Sequence, residues 1–310
     1  MFKQLNKEKG IVLALVAALI SGAAVFLNKE GISLIKDSDV YTTVKNTGTA
    51  VIVLCFFIFT LRLQEFKKLK IKDWFWLALI GLVGGSIPFL LFFHGLALAS
   101  NASIPNLIHK TLFIWASVMA VVFLKERIGN VQIFALALLL LGNILILGLP
   151  KHLQFGRAEI LILLATFIWA LENILAKILL KRLKSEVVVF GRMFFGSIFL
   201  IFYLFFTHKI GLLSSISTTG WIWVAIVSAI LFGYVVFWYS ALKYSPVSLV
   251  TSILVLASPL TSMLESVFRT HKYSPHQIGG VLIIVLTLIL LIVILKKAKW
   301  RRLLPATLRA

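Results

Sequence analysis

The chain is poor in acid, proline and cysteine. Among 310 residues there are 11 Asp and Glu against 31 Lys and Arg, 7 Pro and one Cys. A single cysteine, Cys55, permits no intrachain disulfide, and without a CxxC pair there is no ready metal or redox site. No HExxH or GxSxG sequence occurs, and the aspartates are expected between the apolar runs rather than paired inside them. An intramembrane enzyme therefore has little to work with. No GxxxxGK[ST] loop occurs, so ATP hydrolysis is not the energy source unless a partner supplies it. Low-complexity tracts, long linkers and a soluble domain are also missing, and no cofactor or metal is expected.

What remains is apolar: 60% of residues are hydrophobic and mean hydropathy is +1.03. Soluble domains sit near roughly 45–50% apolar. The excess falls into runs of about twenty residues, the length that crosses a ~30 Å hydrocarbon layer as a helix. Ten spans are predicted: 11–27, 44–61, 74–95, 101–123, 131–149, 159–180, 187–206, 221–242, 247–268 and 277–295. Barrel strands are excluded, because they alternate apolar and polar residues and these runs do not. The expected fold is an all-α polytopic membrane protein, its first span retained rather than cleaved as a signal peptide.

A formal charge of +20 invites a nucleic-acid reading. The basic residues, however, lie in the loops and tails between apolar runs, where membrane proteins keep them. No nucleic-acid partner is expected; the lipid bilayer is. With the N-terminus in the cytoplasm, about twenty basic residues fall inside and about eight outside. Both termini are therefore expected in the cytoplasm and the protein in the cell's inner (plasma) membrane. The basic tail, with Trp300, is expected at the headgroup boundary.

An internal repeat organises the spans. Shifted by about 145 residues, "WLALIGLVGGSIPFLLFFHGLALASNAS" lies over "WIWVAIVSAILFGYVVFWYSALKYSPVS", pairing Trp76 with Trp221 and Ser103 with Ser248. "GNVQIFALALLLLGNILIL" lies over "SPHQIGGVLIIVLTLILLI", pairing Gln132 with Gln277. Lys29 and Lys177 also correspond. Residues 1–150 form one expected five-helix repeat and 151–310 the second, with the basic tail. Five is odd, so the second copy enters the membrane inverted, an arrangement used by transporters.

These residues resemble the drug/metabolite transporter superfamily, in its EamA-type, ten-helix form. The resemblance rests on "VVFLKERIGNVQIFALALLLLGNILI", with Lys125-Glu126-Arg127, Gln132 and Gly142; on the Trp169-Ala170 step of "LLATFIWALENILAKIL"; and on "SALKYSPVSLVTSILVLASPLTSML" with Pro259. It covers nearly the whole chain. The halves differ at two corresponding positions: Ile114 stands opposite Pro259, and Glu126 opposite His271. The resemblance implies a carrier of small metabolites without naming one.

Lys110 is the strongest candidate site residue. It lies about ten residues into its span, ~15 Å deep, where a lysine costs at least ~2.5–3.5 kcal/mol. Ser103, Asn106, Lys110 and Ser117 share one helical face, with His109 at its edge, and Pro105 leaves backbone groups free nearby. This face binds substrate or proton, or else it is a structural pairing with a buried acid. Glu172, beside Asn173 in the middle of the sixth span, is the expected partner across the repeat interface. Trp169, Asn173 and Lys177 share a stripe there, and Tyr234, Trp238 and Tyr239 wall a pocket or sit as interfacial aromatics. Lys29 and Lys177, near span ends, either snorkel to the headgroups or bind, Arg192 is expected to snorkel to the cytoplasmic side, and Glu265 to be a gate or a solvated end charge. His94 receives no role, and Gly81, Gly84 and Gly85 serve close helix approach. The function read from this pattern is a secondary transporter working by alternating access, with a small-molecule substrate such as an amino acid or another amphipathic metabolite. An uncoupled facilitator, exporter or channel is the alternative, and a homodimer is left open.

Overall fold

The computed structural model describes residues 2–99, 103–148, 155–272 and 274–303, and side chains within 8–99, 104, 106–148, 155–272 and 274–294. Among them are ten helical segments long and apolar enough to cross a membrane. They are α1 (Phe2–Ile35), α2 (Ser38–Phe59), α3a (Ile71–Gly85) with α3b (Ile87–Leu98), and α4a (Ser103–Lys110) with α4b (Leu112–Leu124). Next come α5 (Asn130–Leu147), α6 (Arg157–Leu179), α7 (Ser185–Phe206), α8 (Thr218–Tyr244), α9a (Val247–Leu254) with α9b (Ala257–Glu265), and α10 (Pro275–Leu303). Each predicted span is found, shifted by a few residues. The proposed repeat boundary at 150, the side chains of Ser103, Pro105 and Trp300, and residues 304–310 lie outside the described parts.

One boundary shift bears directly on the site. The helix predicted to begin near residue 44 begins at Ser38, because the Asp37 carboxylate accepts from the amides of Asp39 and Val40 and caps it. Lys45 is thereby carried two turns inside. The aspartates also depart from expectation: Asp39 and Asp73 lie in the first turns of α2 and α3a and are buried. Acid there is stabilised by the free amides and the dipole at a helix N-terminus.

Helix contacts follow a two-fold scheme. α1 packs on α8 and α9, and its counterpart α6 packs on α3 and α4. α2 meets its counterpart α7, α4b meets α9a, and α5 meets α10. The repeats are thus interleaved rather than side by side. Because each holds five spans, they are oppositely oriented. One rim carries the turns 60–70, 125–129, 180–184 and 245–246, together with the start of α1 at Phe2 and the end of α10 at Leu303; it is called the terminal rim below. The opposite rim carries turns 36–37 and 207–217. Small residues set the closest crossing: a Cβ on Gly85 would lie 2.5 Å from the Arg192 carbonyl oxygen, and one on Gly196 would lie 2.8 Å from the Gly85 Cα. The expected packing role of Gly81 and Gly85 on α3a is met in this contact with α7.

Two helices break at equivalent heights. α4 breaks at Thr111 and α9 at Val255 and Leu256, matching the offset of 145 found in the sequence. In α9, Pro259 cannot donate to the Val255 carbonyl, and its ring crowds that group. In α4 the corresponding residue is Ile114. There the Thr111 hydroxyl donates to the Ile108 carbonyl at 2.6 Å, and its amide bonds the same group at 3.0 Å. A side chain makes in one repeat the interruption that proline makes in the other.

Candidate functional site

The centre of the bundle is organised around one carbonyl. In "GGSIP", Pro88 has no N–H to return to Gly84, and the helix is interrupted at Ser86. The freed Gly84 oxygen accepts from the Arg192 guanidinium at 3.1 Å and from the Trp169 indole N–H at 3.3 Å. The next carbonyl, of Gly85, accepts from the Asn46 amide at 3.2 Å. Gly84 is therefore more than a packing residue. A Cβ there would lie 2.6 Å from Cγ of Glu172 and 3.2 Å from Nε of Arg192.

Glu172 is buried on α6 and accepts a short hydrogen bond from the Tyr239 hydroxyl of α8. Its neighbour Asn173 accepts from the Trp238 indole at 3.1 Å, and Trp238 stacks on Tyr234 with centroids 5.9 Å apart. Five of the residues expected to line a site thus meet: Glu172, Asn173, Tyr234, Trp238 and Tyr239. Trp169 joins them through Gly84 and reaches the other group, since its ring lies 5.1 Å from that of His109 and 5.7 Å from that of Phe92.

Lys110 ends α4a at the break, half-buried, with Asn106 one turn before it on the same helix. The expected pairing with Glu172 is not found: no ion pair within 4.0 Å joins them, and Lys110 makes no hydrogen bond among the described residues. The acid's charged neighbour is Arg192 instead, which draws on Glu172 electrostatically without closing to an ion pair. The reason is topological. α6 turns Glu172 towards α3a, α7 and α8, while Lys110 sits on α4.

Arg192 and Lys45 are the site residues that sequence reasoning placed wrongly or passed over. Arg192 does not snorkel; it is 6% exposed, and its Nε has no acceptor among the described residues. Lys45 is 4% exposed and faces the rings of Tyr41, Phe89 and Phe93 at 5.1, 5.4 and 5.8 Å. Burying such cations in a bilayer costs ~2.5–3.5 kcal/mol each on insertion scales, which cation–π contacts of ~2 kcal/mol offset in part. The available signal was the N-cap Asp37, which lengthens α2 and moves Lys45 inwards.

At the terminal rim, Glu126 accepts from the amides of Val247 and Ser248 at 2.7 and 3.1 Å and from the Ser248 hydroxyl at 2.7 Å, capping α9a. Lys177 does not snorkel freely. It donates to the Leu242 carbonyl and, at 2.7 Å, to that of Ser245 at the end of α8. At the opposite rim, Lys29 pairs with Glu265 at 2.7 Å, and Arg269 bonds the same carboxylate at 3.1 Å. His94, given no role from sequence, lies 3.1 Å from Asp39, which Lys209 also reaches at 2.7 Å. Partial burial raises the Asp37 carboxyl, but hydrogen bonds from Lys209 and from the Val40 and Asp39 amides outweigh it and hold it below its ordinary range. Burial lowers the Lys209 ammonium, and its bonds to Asp39 and Asp37 outweigh that and hold it well above the usual lysine value.

Comparison with known proteins adds three findings. A family model described as the EamA-like transporter family matches residues 8–148 and again 156–293. The riboflavin transporter ImpX of Fusobacterium nucleatum subsp. nucleatum (strain ATCC 23726 / VPI 4351) is 24% identical over 236 residues, covering 73% of this chain and 79% of that protein. A solved structure described only as the crystal structure of a protein superposes with a TM-score of 0.78 at 13% identity, covering 94% of this chain and 99% of the other. At that identity the likeness is one of fold.

Proposed function

This chain belongs to the EamA-like transporter family, and from that premise we propose that it is a secondary carrier moving a small organic metabolite by alternating access, with its site at the centre of the interleaved repeats. It is a multi-pass membrane transporter. The division into residues 1–150 and 151–310, the inner (plasma) membrane location and the cytoplasmic termini are part of the same reading, the last resting on the excess of Lys and Arg at the terminal rim.

One observation supports the central site above the others: a buried guanidinium, a buried carboxylate and a freed carbonyl meet where α3, α6, α7 and α8 cross. Charged groups are retained at such depth where they face a substrate or ion path. Broken helices at equivalent heights in the two repeats are the usual backbone of such a site. Lys110, Asn106 and His109 form its α4 wall, and Trp169, Asn173, Tyr234, Trp238 and Tyr239 its α6 and α8 walls. The relative's name makes riboflavin the first probe, and the rings of Phe92, His109 and Trp169 offer it stacking surfaces. Amino acids and other amphipathic metabolites follow.

The test is counterflow in proteoliposomes. Vesicles preloaded with unlabelled metabolite should draw labelled metabolite in above equilibrium. Lys110→Met and Glu172→Gln should abolish this while leaving the folded yield unchanged. Wild-type uptake without counterflow would point to a facilitator or channel, and normal counterflow by both variants would remove the site.

A further inference from the structure

Two of the buried charges hold the same place in corresponding helices. α2 (Ser38–Phe59) and α7 (Ser185–Phe206) are each 22 residues long, and they pack on one another. Lys45 is the eighth residue of the first (45 − 38 = 7 positions past its start) and Arg192 the eighth of the second (192 − 185 = 7). The helices start from opposite rims, so the two cations approach the centre from opposite faces. They come to share one ring: Phe89 lies 5.4 Å from the Lys45 ammonium and 6.0 Å from the Arg192 guanidinium. The two charges repel one another across it.

Neither cation forms an ion pair among the described residues. Arg192 donates to a neutral carbonyl, its Nε is buried with no acceptor among the described residues, and the nearest acid, Glu172, attracts it without closing to an ion pair and accepts from Tyr239. Lys45 has one long hydrogen bond of 3.4 Å, to an Asn28 oxygen that Tyr41 already occupies. Acid elsewhere in α2 and α3 is at the helix ends, as Asp39 and Asp73, and is held there by Lys209 and Arg182. A pair of like charges buried together is costly to maintain unless something of opposite sign enters between them.

Resting on the carrier reading above, we infer that Lys45 and Arg192 form an anion subsite on the axis between the repeats, and that the transported metabolite carries a carboxylate or phosphate. The oxygens of such a group accept from the planar guanidinium as a fork and from the ammonium as a point charge. The body of the metabolite lies along Phe89 and Trp169, whose rings meet edge to face at 5.1 Å. Because the cations come from opposite repeats, an anion between them ties the two halves together, and its arrival couples to their relative movement.

Matched ligands separate charge from shape. The purified protein is melted with flavin mononucleotide against riboflavin, and with indole-3-acetate against indole-3-acetamide. At least one anion should raise the melting temperature while its uncharged partner raises it less, with affinities about ten-fold or more apart. The phosphate and carboxylate pairs distinguish the two anion types. Lys45→Met and Arg192→Gln should each remove the anion's shift, whereas Lys45→Arg should keep it. If the uncharged partners stabilise the wild type as well as the anions do, or if neither anion stabilises it, the subsite is overturned, whatever the variants do. Counterflow of an uncharged metabolite in that case would leave the carrier reading intact. Anion binding without exchange would do the reverse.

Discussion

The two rims of the bundle are held together by different chemistry. At the terminal rim, beside ion pairs such as Arg182 with Asp73 and Arg62 with Glu186, two charged side chains bond to the backbone of helix ends. Glu126 supplies the acceptor for the first amides of α9a, and Lys177 covers the last carbonyls of α8. An aromatic cluster of Phe57, Phe66, Trp74 and Phe190 lies beneath them. At the opposite rim, charged side chains bond mainly to one another: Lys29 to Glu265, Lys209 to Asp37 and Asp39, and Arg269 to Glu30 and Glu265. Helix-end amides and carbonyls have no partner within their own helix, so a side chain that satisfies them removes a standing penalty. Exposed ion pairs exchange one good hydration shell for another and gain little. Glu126 and Lys177 are therefore expected to contribute more to stability than the exposed Lys29 pair.

Removing one partner at each rim tests that ranking. Glu126→Ala withdraws one acceptor from three donors and should cost about 2–3 kcal/mol of stability in a denaturant titration. His271→Ala, at the corresponding turn of the other rim, should stay within about 0.5 kcal/mol. Equal losses at the two turns would end the contrast. Lys177→Met uncovers carbonyls of the α8 terminus and should cost about 1–2 kcal/mol, with little dependence on salt. Lys29→Met removes a pair whose lysine side chain is 56% exposed; it should cost under about 1 kcal/mol, and that difference should vanish near 1 M salt. A salt-insensitive loss there would place the Lys29 pair in the same class as Lys177.

The smallest effect is that of pH. Asp37 is depressed below 3.8, so its contribution is present above that pH and is lost as pH falls through the lower, folded value. Lys209 is raised above 10.5, so its contribution is present below that pH and is lost as pH climbs through the higher, folded value. Between about pH 5 and 9 neither group should tilt the stability curve. Lys209→Met should flatten both shoulders. A slope near neutrality that disappears in this variant would mean the opposite rim is governed by a group other than these.

The ten spans, the repeat and its inversion were legible because each is a matter of length, hydropathy and parity, all local to the chain. So was the depth of Glu172, which follows from counting residues along one helix. The partner of Glu172 was not legible. Lys110 is at comparable depth on another helix, yet only the angle at which α6 packs on α3a and α8 decides that the acid meets Tyr239 and the field of Arg192. The error at Arg192 has the same origin. Seven residues from a helix end is close enough to snorkel, and only the small-residue contact of Gly85 with Gly196 draws it to the Gly84 carbonyl. The Thr111 break was missed because sequence patterns announce proline, whereas a hydroxyl folding back on its own helix leaves no such mark.

The sequence alone determined that this is a ten-span membrane protein of two opposed halves, because a bilayer accepts only apolar helices of one length and an odd repeat has to invert. The tertiary structure alone decided which charges meet at the centre and how the charged side chains at each rim are partnered. Those depend on distances between helices far apart in the chain, and on backbone groups freed by proline or by a helix end, which residue order does not specify.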